Sequence, residues 1–247
     1  MNSIELVIVI PCDDLGKRLK SEQIKRFLRK QKNVALVVVG YGKASGFGLV
    51  EELRRCFEQR IYIFQDKKLG DSGAAVRMGV LQAEVLFSVE KIALLEPELS
   101  ISLDETLRLS TCISSKVHVV LGARVPKIDS SYPEKEPHSV LQAIRAYWLC
   151  RKTGLRFFDP SSPCIIIRLP LVKQLFQHPW YRPSVYRMEL LFRLSELYGS
   201  DSLKYLVREI PVKSWQSPCK PKFPLSSMIK EQFNVRRLSG YYKKVNG

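Results

Sequence analysis

The chain has 247 residues, of which 45% are hydrophobic and 26% are charged, a composition typical of folded globular proteins and not of disordered ones. With 40 Lys or Arg against 24 Asp or Glu, the net charge is +16, so we expect an anionic partner: nucleic acid, an anionic bilayer or a phosphate-bearing substrate. The apolar runs are too short to cross a membrane and the six cysteines include no C-x-x-C, which predicts a soluble, cytoplasmic chain without a zinc site or disulfide scaffold.

The first part of the chain alternates apolar strands with amphipathic helices. The predicted strands are residues 4–11, 34–39 and 61–64, and the predicted helices between them are residues 19–28 and 50–57. This β-α-β-α-β order predicts a parallel sheet with right-handed crossovers. Pro11 is expected to end the first strand, and a polar turn follows at Asp13 and Asp14.

A glycine-containing segment follows the third strand. Asp71 or Ser72 can cap a helix that runs to Ala83, and Gly73 lets phosphates approach the backbone N–H groups at its positive end. Arg77 adds positive charge. An ordinary capped helix after a loop accounts for the same residues, and no Walker A sequence follows the glycines.

Two glutamates follow the next buried strand, which is predicted at residues 92–95. Glu96 and Glu98 stand one residue apart in a turn, and ligands of open α/β sheets bind outside the carboxyl ends of the strands. Carboxylates with this spacing can face one hard cation, Mg²⁺ or Mn²⁺. A solvated acidic turn is the alternative that the spacing leaves open.

The second half adds further elements and a basic tail. The predicted strands are residues 117–122, 164–168 and 206–212, the predicted helices are residues 103–113, 140–150, 171–176 and 187–198, and a proline-rich loop spans residues 126–137. The segment from residue 204 onward contains ten Lys or Arg and two Glu, and aromatic residues are interspersed among the basic ones. This mixture suits an anionic membrane surface or a phosphate-rich ligand, and equally a helix packed on the domain by its apolar side.

Seven segments, taken in order, resemble motifs of the GT-A glycosyltransferases of family 2, in particular the polyprenyl-phosphate sugar synthases of the dolichyl-phosphate mannose synthase type. They are VIVIP at 7–11, GDSGAAVRMG at 70–79, LLEPELS at 94–100, VVLGAR at 119–124, DPSSPC at 159–164, ME at 188–189 and IPVKSW at 210–215. The resemblance implies an α/β, GT-A-like domain over residues 1–222, with a Rossmann-related, mostly parallel central sheet flanked by helices. Residues 223–247 then form a basic, aromatic-containing C-terminal extension.

The resemblance also implies a site. Residues expected beside a nucleotide-sugar donor are Pro11, Asp13, Asp14, Ser72, Gly73 and Arg77, and Glu96 and Glu98 are expected to hold Mg²⁺ or Mn²⁺. The implied acceptor is a polyprenyl phosphate at an anionic membrane surface, with Arg168, Lys220 and Lys222 as its phosphate ligands. Such an acceptor brings its own nucleophile, whereas a hydroxyl acceptor needs a general base, for which Asp159 and Glu189 are the candidates.

The chain departs from the family at its donor motifs. The family's D-D-G-S, whose first Asp contacts the nucleotide base, is replaced by Gly40-Tyr41-Gly42-Lys43, and both Asp of its D-x-D are Glu. We expect a divergent glycosyltransferase that is cytoplasmic and peripheral at the inner face of a membrane. These departures favour an alternative, an inactive GT-A-like binding or scaffold protein. The charge alone also allows a nucleic-acid-binding protein, although no known recognition motif is present.

Overall fold

The computed structural model describes residues 4–14, 18–42, 47–125, 138–216 and 225–245. Its strands are β1 (Leu6–Cys12), β2 (Val34–Tyr41), β3 (Ile61–Asp66), β4 (Lys91–Leu94), β5 (Val119–Ala123), β6 (Ile165–Arg168) and β7 (Val207–Pro211). Its helices are α1 (Ser21–Lys30), α2 (Phe47–Cys56), α3 (Ser72–Leu86), α4 (Leu103–Ser110), α5 (His138–Thr153), α6 (Leu169–Phe176), α7 (Tyr186–Leu206) and α8 (Leu225–Val245), with a 3₁₀ turn at Pro183–Val185. The strands form one sheet in the order β3-β2-β1-β4-β6-β5-β7, flanked by helices.

The central strands are buried on both faces, which explains their continuous Val, Ile and Leu runs. Every residue of β1 is buried, and so is every residue of β2 except its last. Helix α3 packs closely on both strands at Gly79, where a Cβ atom would lie 2.6 Å from Val9 Cγ1 and 2.8 Å from Val39 Cγ2. The sequence correctly predicts an α/β fold built around these strands.

One strand of the sheet is antiparallel to its neighbours, which agrees with the mostly parallel sheet that the resemblance implies. β1 to β4 are parallel to one another, but β6 is antiparallel to both β4 and β5, with Lys91 opposite Arg168. The sheet is therefore mostly, and not wholly, parallel. The run of buried residues that identifies a strand carries no information on its direction, so the sequence could not distinguish these two arrangements.

The first strand also continues past the position where the sequence predicts its end. β1 includes Pro11 and Cys12, which pair with Val39 and Gly40 of β2. The carbonyl of Val9 accepts from Leu95 on the side of β4, and Pro11, two residues on, faces that same side after β4 has ended. The missing N–H of the proline therefore costs no ladder hydrogen bond.

Helix α8 packs on the domain by one side. Val235, Leu238 and Tyr242 are buried, and Lys152 of α5 donates to the carbonyl of Tyr242 at 2.6 Å. Phe233, on the same helix, is 58% exposed. No helix among the described ranges is long and apolar enough to span a membrane. The predicted loop at residues 126–137 lies outside the described residues, and the predicted division at residue 222 stays a prediction.

Candidate functional site

The carboxyl ends of β1 and β4 lie side by side and bring two polar turns together. Val9 pairs with Leu94, and the backbone N–H of Leu95 donates to the carbonyl of Val9 at 3.0 Å. The residues that follow are Asp13 after β1 and the two predicted metal ligands, Glu96 and Glu98, after β4. This edge is where open α/β sheets bind their ligands.

Arg18 joins the two turns. Its Nε donates to Glu98 Oε1 at 2.5 Å, and its terminal nitrogens form ion pairs with Glu98 and with Asp13. Its backbone N–H donates to the carbonyl of Asp14 at 3.0 Å. Burial opposes the charge of Arg18, but attraction to Glu98 and the hydrogen bonds to both carboxylates outweigh it and raise the pKa of the guanidinium. The side chain is therefore a fixed positive charge at the end of β1.

Arg187, near the start of α7, forms an ion pair with the other glutamate, Glu96. Its Nη2 lies 3.1 Å from Glu96 Oε1, and the hydroxyl of Ser100 donates to Glu96 Oε2 at 3.4 Å. The Nε of Arg187 is buried and has no hydrogen-bond partner among the described residues. Each glutamate of the acidic turn is thus paired with an arginine. We call Asp13, Arg18, Glu96, Glu98 and Arg187 the edge cluster.

Two tyrosines lie next to the edge cluster. Tyr186 is only 1% exposed, and its hydroxyl finds no partner in the described part of the chain. Burial raises the pKa of Tyr186, while the charge of Arg187 opposes that shift. Tyr41, the last residue of β2, has a pKa raised to about 12 by burial and by the charge of Asp13. Both hydroxyls therefore stay protonated and can donate at neutral pH.

The edge cluster fits a resident divalent cation poorly. Within the described ranges, no group of three or more His, Cys, Asp or Glu side chains is arranged to hold a metal ion. A dication at Glu96 and Glu98 would lie beside the guanidinium groups that already neutralise them, and like charges a few ångströms apart repel strongly. The metal role of the two glutamates stays a prediction.

The first base candidate, Asp159, is fully buried and bonded to the protein. Its Oδ2 accepts from Arg124 Nε at 2.7 Å, and its Oδ1 accepts from Arg124 Nη2 at 2.9 Å and from Gln142 Nε2 at 3.1 Å. Both oxygens of this carboxylate are therefore occupied by charge-assisted or amide hydrogen bonds within the protein. In this conformation Asp159 joins α5 to the segment before β6.

The second base candidate, Glu189, is also fully buried. It accepts from the backbone N–H groups of Tyr181 at 2.8 Å and Arg182 at 2.9 Å, from Arg193 Nη2 at 2.8 Å and from the Tyr242 hydroxyl at 3.1 Å. These bonds fix the segment before α7 and the C-terminal helix α8. Both carboxylates, Asp159 and Glu189, are engaged in hydrogen bonds within the protein. Their predicted roles as bases stay predictions.

The start of α3 is covered by the protein itself. Asp71 caps the helix, as predicted, by accepting from the N–H of Ala74 at 2.9 Å. A Cβ atom on Gly73 would lie 2.2 Å from the carbonyl oxygen of Pro183, and Trp180 Nε1 donates to the carbonyl of Gly73 at 2.9 Å. Glycine at this position therefore admits Pro183, where the sequence predicts an approaching phosphate. Ser72, beside it, stays a predicted donor contact.

Arg77 does not extend toward the acidic turn but donates from Nη2 to the carbonyl of Gln177 at 2.5 Å. It lines a cavity of about 350 Å³ with Trp180 and Pro183, on the side of α3 that faces the segment before α7. The predicted donor contact by Arg77 stays a prediction.

Of the predicted acceptor ligands, Arg168 lies within the described residues, and it is not at this edge. Arg168 ends the antiparallel strand β6 opposite Lys91, the first residue of β4, so it lies at the other end of the strands from Glu96. Its Nη1 is 3.4 Å from His118 Nε2. A strand of four residues separates the two ends by roughly 10 Å, so Arg168 lies away from the acidic turn, and its role as a phosphate ligand stays a prediction. Lys220 and Lys222 lie outside the described residues.

Sequence reasoning missed Arg18, Arg187 and Tyr186. Nothing in their local sequence distinguishes the two arginines from the other basic residues of a chain that has 40. Their importance comes from contacts with Glu98 and Glu96, which are distant in sequence.

No known protein-family profile matches the sequence, and no curated protein matches it. Solved structures do. Glucosyl-3-phosphoglycerate synthase from Mycobacterium tuberculosis, in complex with Mn²⁺, UDP and phosphoglyceric acid, is 13% identical with a TM-score of 0.61 over 96% of this chain and 79% of its own. A mannosyltransferase from Pyrobaculum calidifontis, in complex with GDP-Man and Mn²⁺, is 9% identical with a TM-score of 0.63 over 99% of this chain and 65% of its own.

A third similar structure carries a different activity on the same core. The 4-diphosphocytidyl-2C-methyl-D-erythritol synthase from Anaerococcus prevotii is 9% identical, with a TM-score of 0.52 over 94% of this chain and 96% of its own. At such identities the comparisons show the fold alone, and that fold is the GT-A fold that the sequence predicts.

Proposed function

We propose that this protein is a divergent glycosyltransferase that takes a hexosyl group from a nucleotide-sugar and transfers it to a polyprenyl phosphate of the dolichyl type, or to another membrane-associated acceptor. The observation that carries the proposal is the edge cluster, which places two fixed guanidinium groups at the carboxyl ends of β1 and β4 of a GT-A fold. Two similar GT-A structures were solved with UDP or GDP-Man.

The donor's diphosphate can accept hydrogen bonds from the two guanidinium groups of this edge. As the bond between the sugar and the diphosphate breaks, negative charge develops on the departing oxygen. Fixed positive groups and protonated hydroxyls stabilise such charge because they need no rearrangement during the reaction. Arg18, Arg187 and Tyr186 supply these groups at one place.

A phosphate acceptor suits the remaining residues. Its anionic oxygen attacks the anomeric carbon directly, the bond to the nucleoside diphosphate breaks, and no proton has to be removed. A hydroxyl acceptor would need a free base. Asp159 and Glu189 are buried and fully engaged in hydrogen bonds, so the acceptor that needs no base agrees best with the structure.

The outer face of α8 supports a position at a membrane. Lys230, Phe233, Arg237 and Tyr241 are exposed and follow one another at helical spacing, so they share one face of the helix. Basic residues interleaved with aromatic rings bind the headgroup region of anionic bilayers. We propose that this face holds the protein peripherally on the inner side of a membrane, where a polyprenyl phosphate resides.

A second candidate function, an inactive GT-A-like scaffold, is favoured by the arginines that already neutralise the acidic turn. Calorimetric titration of the purified protein with UDP and with GDP separates the two. Binding of one nucleotide is expected for a transferase. Folded protein that binds neither, with or without Mn²⁺, would support the scaffold and contradict the proposal.

The acceptor is tested next. The nucleotide-sugar that matches the bound nucleotide is mixed with the protein and a short-chain polyprenyl phosphate in detergent. We expect glycosylated lipid and an equal amount of released nucleoside diphosphate, with neither formed when the lipid is replaced by the corresponding polyprenol. Equal release with and without polyprenyl phosphate would contradict this acceptor and leave the donor part intact.

A further inference from the structure

We propose that Arg18 and Arg187 act in place of a metal ion, so that the diphosphate of the donor binds to their guanidinium groups and needs no divalent cation. The inference rests on the proposed function and concerns the same site. It starts from the poor fit of the edge cluster to a dication, which the pairing of both glutamates with arginine creates.

Without a metal ion, two guanidinium groups already neutralise two of the three carboxylates at the edge. Asp13, Glu96 and Glu98 face Arg18 and Arg187, so the five side chains together carry about one negative charge. A nucleoside diphosphate brought to this cluster finds positive groups that are close and already oriented. Adding a dication would require that the glutamates release their arginines, which costs the charge-assisted bonds now made.

The arginines also retain unused hydrogen-bonding capacity. A guanidinium carries five N–H donors in a planar fork that matches phosphate oxygens. The buried Nε of Arg187 has no partner among the described residues, and neither has the buried hydroxyl of Tyr186 beside it. The guanidinium carbon of Arg187 lies 4.9 Å from the centroid of the Tyr186 ring. Buried donors are nearly always satisfied in folded proteins, so both donors are available to a ligand that reaches the edge cluster.

In this arrangement the glutamates are positioning residues. Glu98 and Asp13 hold Arg18, and Glu96 holds Arg187, so each guanidinium is fixed before a ligand arrives. A metal site assigns the same glutamates the opposite role, as direct ligands whose removal abolishes the effect of the cation. The two arrangements therefore predict different responses to the same substitutions.

The test is calorimetric titration with UDP and GDP in EDTA and again in excess Mn²⁺. We expect the nucleotide that binds to have the same Kd in both conditions, within about threefold. Binding that is more than about tenfold tighter with Mn²⁺, and that loses this gain in Glu96→Gln, would overturn the inference while the proposed function stands. Absence of binding in both conditions would instead contradict the proposed function.

Single substitutions distinguish a specific role of the two arginines from a general effect of positive charge. Arg187→Gln is expected to weaken nucleotide binding in EDTA by about tenfold or more, because it removes charge-assisted hydrogen bonds. Arg18→Gln, at a more exposed position, is expected to do the same if burial of residue 187 prevents folding of the first variant. Arg54→Gln is the matched control, since it removes one exposed positive charge from α2.

Circular dichroism and thermal unfolding of each variant establish that it is folded before titration. Nucleotide affinities of Arg18→Gln and Arg187→Gln that equal the affinity of Arg54→Gln would overturn the inference. So would an Arg187→Gln protein whose binding is restored by Mn²⁺ to the wild-type level, because the cation would then be able to occupy the site that Glu96 provides.

Discussion

Arginine side chains form ion pairs with several buried carboxylates in this protein. Asp159 is held by Arg124, Glu189 by Arg193 and Glu105 by Arg108. Burying a charge is costly unless it is paired and hydrogen-bonded, and removal of one partner leaves the other charge buried and unpaired. At the scale of single residues, we therefore expect the stability of the fold to depend strongly on each member of these pairs.

Glu105 gives the clearest case because its bonds are short and its side chain is nearly buried. It accepts from Arg108 Nε at 2.9 Å and Nη2 at 2.6 Å, and from the backbone N–H of Lys213 at 2.8 Å. The hydrogen bonds from Arg108 lower the pKa of Glu105, with help from Lys213 and against the effect of burial. The charged carboxylate joins α4 to the segment that follows β7.

The substitution Glu105→Gln is expected to lower the free energy of unfolding by about 2 kcal/mol at neutral pH. Because the folded pKa of Glu105 is below its unfolded value, its charge stabilises the fold fully above the unfolded pKa. That contribution is lost as the pH falls through the folded pKa, so the difference between the proteins shrinks toward acidic pH.

Urea unfolding of both proteins near neutral pH and at about pH 4 measures the change. Asp104→Asn, which removes an exposed negative charge from the same first turn of α4, is the control and is expected to have little effect. A difference for Glu105→Gln that stays constant with pH would show that the carboxylate charge does not act in this way.

At the scale of elements, α3 packs both on the central strands and on the segment that precedes α7. The start of α3 contacts Pro183 and Trp180 of that segment, and Gly79 of α3 lies against β1 and β2. The same segment leads into Tyr186 and Arg187. The packing at Gly73 therefore sets where the start of α7 lies relative to the acidic turn.

We expect Gly73→Ala to lower the free energy of unfolding by about 3 kcal/mol, because its Cβ would lie 2.2 Å from the backbone oxygen of Pro183. Nucleotide binding should weaken as well, since the start of α7 must shift. Gly70→Ala, whose Cβ meets nothing within 4 Å, is the control and should change stability by no more than about 0.5 kcal/mol. Urea unfolding and calorimetry measure both effects, and equal behaviour of the two variants would contradict the packing argument.

Local sequence signals account for most elements of the fold. The strands at 34–41 and 61–66 and the helix at 72–86 are identified by their apolar periodicity and by the Asp71 cap. The antiparallel direction of β6, which puts Arg168 at the opposite end of the strands from Glu96, is a property of the whole sheet and not of the local sequence. The pairs of Arg18 with Glu98 and of Arg187 with Glu96 likewise depend on the assembled fold, and no local pattern encodes them.

At the scale of the whole molecule, the net charge of +16 creates a long-range field that favours anionic surfaces. The outer face of α8 adds exposed aromatic rings to that field, with Phe233 58% and Tyr241 42% exposed. Electrostatic attraction weakens with added salt, whereas burial of aromatic rings in headgroups does not. The two contributions can therefore be measured separately.

We expect the protein to bind vesicles that contain phosphatidylglycerol, to bind vesicles of pure phosphatidylcholine far more weakly, and to dissociate as NaCl is raised. Phe233→Ser should weaken binding by about tenfold, because one inserted aromatic ring is lost. Val85→Ser on α3, where the apolar side chain is 82% exposed, is the control. Sedimentation with vesicles measures each affinity, and an equal effect of the two substitutions would contradict a role of α8 in membrane binding.

The pairing of Glu96 with Arg187 also has a consequence for how the molecule is made. Glu96 follows β4, in the part of the chain that is synthesised first, whereas Arg187 belongs to the later part. β5 pairs with β7 through Val119 and Val207, and such contacts between distant residues form slowly during folding. A nascent chain can therefore assemble β1 to β4 with an acidic turn that still lacks its guanidinium partner. The finished edge cluster exists only once both parts have met, so a ligand that binds there would select complete chains over partly folded ones.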